Sequence, residues 1–164
     1  MKRILAIDPS SSAAGFAFFI GATPQWCKTI KPKGATLLDR MANLLHEAGG
    51  LIDENKPDYI AIETPYLGFS KSTSLKMGQI FGMICALCVL KSYTSQTILE
   101  IHTMSAKKAV GAGHVTSRDA SKIAVSQATK ILFPFLEIED DNASDALAIG
   151  VAALGMLPSQ IETS

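Results

Sequence analysis

Ile4-Leu5-Ala6-Ile7-Asp8-Pro9-Ser10-Ser11-Ser12 sets the reading of the whole chain. Four apolar residues in a row, closed by an acid, a proline and three serines, describe a buried strand that ends in a turn. Downstream, residues 15–20 (GFAFFI) form a second run of β-formers between Gly15 and Gly21, and residues 26–30 form a third. The connections are too short for crossover helices, so the three are expected to pair as an antiparallel meander.

The pattern then changes period. Leu37, Leu38, Met41, Leu44, Leu45, Ala48 and Ile52 recur at helical steps. Residues 58–62 (DYIAI) read as a strand stopped by Glu63-Thr64-Pro65, residues 72–91 as a long apolar helix, and residues 98–101 as another strand. A short helix over 105–110 is stopped by Gly111-Ala112-Gly113. A further helix, capped by Thr116 or Ser117, runs to about Leu132, and a last one covers residues 142–154. Strands interleaved with helices in this way predict an α/β fold, with one mixed sheet and helices packed on it.

The chain has 164 residues and is 48% hydrophobic. That length suits one domain spanning residues 1–164. Only 18% of residues are charged, and Lys plus Arg balances Asp plus Glu at 15 each. Bulk charge therefore does not announce a nucleic-acid partner, and such a partner has to be carried by local cation clusters and by bound metal. Cys85 and Cys88 form a C-x-x-C within the apolar run at residues 80–90. With no second pair to complete a zinc site they read as core thiols. The odd cysteine count suits a reducing compartment. The apolar N-terminal stretch is too short for a signal sequence, and the run at 80–90 is too short and interrupted for a bilayer span. Cytoplasmic residence is expected.

Three acids stand where apolar sequence meets a loop: Asp8 after the first strand, Glu63 after the fourth, and Asp145 near the start of the final helix. Sites in open α/β sheets gather at the carboxyl ends of strands. If the three converge, they form an oxygen-rich pocket for Mg²⁺ or Mn²⁺. Each also has a plain reading, as a turn starter, a solvated strand end, or a helix N-terminal acid favoured by the dipole.

Beyond these residues, five motifs in order resemble the RuvC-type Holliday junction resolvases of the ribonuclease H-like superfamily. Residues 4–10 look like the family's I-L-G-I-D-P-G opening, with Ser10 where Gly is usual. Ala61-Ile62-Glu63 resembles its second acidic strand end. Leu75-Lys76-Met77-Gly78-Gln79 with Gly82 resembles L-K-L-G-Q-x-x-G. Val110-Gly111-Ala112-Gly113 resembles V-G-x-G, and residues 144–149 (SDALAI) resemble A-D-A-L-A-I.

The resemblance implies a ribonuclease H-like fold with a mixed five-stranded sheet and helices on both faces. It implies a homodimer that nicks four-way DNA symmetrically, using Mg²⁺ with Mn²⁺ as a substitute, two ions per active site. Branch-migration machinery is a further partner that the sequence does not identify. Asp8, Glu63 and Asp145 match catalytic, metal-holding acids. Tyr66 matches an aromatic that stacks on bases. The loop from Tyr66 to Lys71, with Phe69, has the aromatic, glycine and cation character of a DNA contact, and Lys76 follows in the next motif. Lys107, Lys108, Arg118 and Lys122 approximately match the family's phosphate-contacting cations. Their plain alternative is a solvated helix face.

One position departs from the pattern. Three residues before the last acid the family carries Asp or His, and this chain carries Asn142. Either a neutral amide oxygen serves as ligand, or Asp141 or Asp140 reaches the metal instead, or the change inactivates the site. Other readings are a relative acting on RNA or on simpler DNA branches, a junction-binding protein without cleavage, and an actin-like ATPase. The last needs a second lobe for which 164 residues leave no room.

Overall fold

The computed structural model describes residues 1–66, 68, 70–115 and 117–157, with Arg118 described by its backbone alone. Its centre is β1 (Arg3–Asp8). The following strands are β2 (Ala14–Ile20), β3 (Thr23–Ile30), β4 (Tyr59–Glu63) and β5 (Ile98–Ile101). They form one sheet in the order β3-β2-β1-β4-β5. The first three strands pair antiparallel, whereas β4 on β1 and β5 on β4 are parallel. The mixed sheet expected from the sequence is therefore present.

β3 begins at Thr23, earlier than the expected residue 26. Gly21 takes a positive φ of 59°, so Ile20 turns directly onto Thr23 and extends the hairpin. Pro24 is tolerated in this strand because the pairing shifts register between Phe18 and Phe19, next to where it sits.

Alternation along β1 splits the core into two layers. Leu5 and Ile7 join Phe16, Ile60 and Ile62 against α1 (Leu37–Asn55) and α2 (Lys71–Leu90). Ile4 and Ala6 join Ala17, Phe19 and Ala61 on the other face. There they meet α3 (Thr103–Ala109), α4 (Arg118–Leu132) and α5 (Asp141–Met156). Helices thus cover both faces.

α1 starts with a reciprocal capping box. The Thr36 hydroxyl accepts from the Asp39 amide, and the Asp39 carboxylate accepts from the Thr36 amide. α2 matches the helix expected over residues 72–91 to within a residue. Its 20 residues are long and apolar enough to cross a bilayer by length and composition alone. Its buried stripe, Ile80, Ile84, Leu87 and Cys88, nevertheless packs in the core layer with α1 and the sheet, while Leu75, Val89 and Leu90 are exposed. Ser117 occupies the N-cap position of α4 but makes no side-chain cap bond. Thr116, the other expected cap, lies outside the described residues.

Candidate active site

Parallel pairing of β1 with β4 brings the first two acids together. Ile7 stands opposite Ile62, so Asp8 and Glu63 follow at adjacent strand ends, and neighbouring strands lie about 4.8 Å apart. Period-two alternation gives Asp8 the face of Ile4 and Ala6, and Glu63 the face of Ala61. This is the layer that holds α5.

The start of α5 supplies the third acid, and several contacts fix it. Asp140 is the N-cap. Its carboxylate accepts from the amides of Asn142 (3.0 Å) and Ala143 (3.1 Å) and from the Thr29 hydroxyl of β3 (2.5 Å). Burial alone would raise the Asp140 pKa, but these hydrogen bonds hold it below the usual 3.8. On the sheet side, Gly15 lies opposite Asp8 in the β1–β2 ladder. A Cβ there would sit 2.0 Å from the Asn142 carbonyl oxygen and 3.2 Å from the Ala146 Cβ. Glycine at this position lets the first turns of α5 rest on β2 beside Asp8, and Asp145 is carried to the two strand-end acids.

The electrostatics report that convergence. Burial, then the charges of Glu63 and Asp145, then a hydrogen bond shared with Glu63 push the Asp8 pKa well above 3.8, and Lys122 partly offsets the rise. Burial, then the Glu63 charge, raises Asp145 to about 7, with Lys122 and Lys107 opposing and Asp141 adding to the rise. The three acids from β1, β4 and α5 form one electrostatic group whose mutual repulsion and burial outweigh Lys122 and Lys107. They are gathered loosely. Among the described residues, no three His, Cys, Asp or Glu side chains stand close enough to ligate one ion as they are.

A cleft of about 480 Å³ opens beside them, lined by Glu63 and Asp145, by Lys107 and Lys122, and by Tyr66, Met77, Met104 and Ser121 among others. Lys122 bridges to Asp141 at 3.8 Å. Tyr66 is 62% exposed at the cleft wall. Lys71, Lys76 and Lys108 are exposed and do not line the cleft. Phe69 lies outside the described residues, as does the side chain of Arg118.

Asp140, offered by the sequence as an alternative ligand, is instead committed to the cap. The Asn142 side-chain amide approaches the same carboxylate at 3.4 Å. Sequence reasoning missed Ser121, Met77 and Met104 in the cleft wall. It also missed Thr29 and Gly15 as supports of α5. The Asp140-Asp141-Asn142 run ahead of the final apolar helix was the one available signal, for the cap.

The cleft's chemistry agrees with the relatives found by comparison. The family profile described as crossover junction endodeoxyribonuclease RuvC matches residues 4–153. The crossover junction endodeoxyribonuclease RuvC of Xanthobacter autotrophicus is 31% identical over 155 residues, covering 91% of this chain and 87% of its own length. That of Geobacter sulfurreducens is 31% identical over 157 residues, covering 91% and 90%. Among solved structures, Thermus thermophilus RuvC in complex with Holliday junction substrate aligns with a TM-score of 0.73 at 14% identity, covering 95% of each chain. The yeast mitochondrial Holliday junction resolvase aligns with a TM-score of 0.64 at 16% identity, covering 93% of this chain and 78% of that one. The structural likenesses carry the fold, and the sequence matches carry the family. With the profile spanning nearly the whole described chain, from β1 into α5, this protein belongs to the RuvC family of crossover junction endodeoxyribonucleases.

Proposed function

We propose that this chain is an endodeoxyribonuclease that resolves four-way DNA junctions by hydrolysing a phosphodiester at the cleft between β4, α3, α4 and α5. One observation carries the reading. Three carboxylates from separate elements are brought together, and two of them, Asp8 and Asp145, are raised first by burial and then by their acidic neighbours, more than the nearby lysines offset. Such a set is costly to the fold by itself and favours a bound cation.

The donor chemistry fits a hard divalent ion, since carboxylate and amide oxygens are the ligands Mg²⁺ and Mn²⁺ take. Asp8, Glu63 and Asp145 would hold it, with Asn142 offering a neutral oxygen and Asp141 standing next to it on α5. When bound, a pair of such ions would supply water activation and charge compensation at the leaving oxygen. The chain's own residues do the rest. Lys107 and Lys122 draw the phosphate into the cleft and balance its charge. Tyr66, at the cleft wall, offers a face on which a base can stack. Lys71, Lys76 and Lys108 meet flanking phosphates outside the cleft, and Phe69 and Arg118 belong to the same DNA-contacting set.

Symmetric cutting requires two active sites, and we assign the exposed apolar residues of α2 to a homodimer contact. All three cysteine thiols are raised, Cys27 to about 11 and Cys88 to about 12, chiefly by burial. Thiols of this kind are inert at neutral pH, in keeping with residence in a reducing cytoplasm.

The test is cleavage of a synthetic four-way junction beside a linear duplex of the same sequence, with Mg²⁺ and with EDTA. Cutting of the junction alone, and only with metal, is expected. Equal cutting of both DNAs would reduce the protein to a general nuclease.

A further inference from the structure

We infer that Ser121 is an additional catalytic residue, whose hydroxyl donates to a non-bridging oxygen of the phosphate being cut. The inference rests on the nuclease reading of the cleft and adds to it a contact that none of the acids or lysines supplies.

Three polar residues are buried in the described chain: Ser121, Thr129 and Ser144. Two of them use the ordinary helical solution. Thr129 Oγ1 donates to the Val125 carbonyl at 3.0 Å, and Ser144 Oγ donates to the Asp140 carbonyl at 3.1 Å. Each bond reaches back four residues along its own helix. Ser121 has the same option, since the Ser117 carbonyl lies four residues back and accepts the Ser121 backbone amide at 2.8 Å. Its hydroxyl does not take it. Ser121 is 1% exposed, and its Oγ has no hydrogen-bond partner among the described residues. A buried hydroxyl left unpaired costs stability, so the group calls for an explanation.

Its location supplies one. Ser121 lines the cleft together with Glu63, Asp145, Lys107 and Lys122. Ser74 Oγ, the other unpaired buried hydroxyl among the described residues, does not line that cleft. With no partner among the described residues, the Ser121 hydroxyl is open to an oxygen or nitrogen brought in from outside. Two lysines on the same wall select an anion, and a phosphate oxygen is the acceptor that both a lysine and a hydroxyl can bind. The acids would hold the metal, and the lysines would balance the phosphate's charge. Ser121 would fix its rotation, which decides whether water attacks in line with the leaving oxygen.

Ser121→Ala tests this. Three quantities separate a ligand contact from a structural one: thermal midpoint without metal, junction affinity in an Asp8→Asn background, and single-turnover cleavage at saturating protein and Mg²⁺. The expected result is an unchanged or higher midpoint, affinity within about threefold, and a cleavage rate lowered roughly tenfold. A variant that cuts at the parent rate overturns the proposal, leaving the hydroxyl a defect of packing. A rate loss accompanied by a lower midpoint or weaker junction binding also overturns it, since the hydroxyl would then serve the fold. If the parent binds the junction and does not cut, the nuclease reading fails and takes this proposal with it. If the parent cuts and Ser121→Ala cuts alike, only this proposal fails.

Discussion

Asp145, proposed as a metal ligand, strains its own fold when no metal is bound. In an unfolded chain its carboxyl titrates near 3.8, and in the metal-free fold near 7. Because the folded pKa is raised, the stability this group contributes is fully present below pH 3.8 and is lost as pH rises through about 7. Asp145→Asn removes that loss. In EDTA at pH 8 the variant should be more stable than the parent by on the order of 2 kcal/mol, and the gap should narrow as pH falls through 7 and close only below about pH 3.8. Chemical denaturation of both proteins across that range measures it. The opposite change is informative at the neighbouring position. Asn142→Asp adds a fourth carboxyl to the group, so it should lower metal-free stability and tighten Mg²⁺ binding several-fold. If only the Asp form cuts DNA, Asn142 is an inactivating residue; if both cut alike, the neutral amide suffices.

At the scale of elements, α5 decides whether a site exists. Its start is held by the Asp140 cap, the Thr29 hydroxyl and the close approach of the Asn142 carbonyl to Gly15. Gly15→Ala places a methyl group into that carbonyl and cannot be relieved by rotating a side chain. It should displace the first turn of α5 and cut junction cleavage at least tenfold, with weaker Mg²⁺ binding and only a modest fall in thermal midpoint. Asp140→Ala should cost about 1–2 kcal/mol as a lost N-cap.

Much of this scale was legible in the sequence. The apolar run to Asp8, the helical spacing from Leu37 to Ile52, and the acid ending residues 58–63 placed β1, α1 and β4 within a few residues. What stayed hidden were the features set by approach between distant segments. Gly15 looks like a strand boundary until α5 is laid on it. Ser121 is one serine in an amphipathic helix until its missing back-bond is seen. The convergence of Asp8, Glu63 and Asp145 depends on the parallel register of β1 and β4, which no local pattern states. Motif order pointed to it, through resemblance rather than spacing.

For the whole molecule, net charge is +0, so DNA must be gripped by the cation cluster and not by an overall field. Junction binding should therefore weaken with salt by a slope set by a few lysines. Lys107→Ala and Lys122→Ala should each flatten that slope, as titrations at several salt concentrations would show. The exposed apolar residues of α2 predict a dimer by light scattering at micromolar protein. Leu75→Glu combined with Val89→Glu should yield a monomer that nicks one strand but no longer makes paired cuts. The central claim is that three converging acids make this fold a metal-dependent junction nuclease, and one comparison tests it most directly. Parent and Asp8→Asn proteins are given a four-way junction with Mg²⁺. The account predicts paired cuts by the parent and none by a variant that is folded and still binds the junction; cleavage surviving in Asp8→Asn would contradict it.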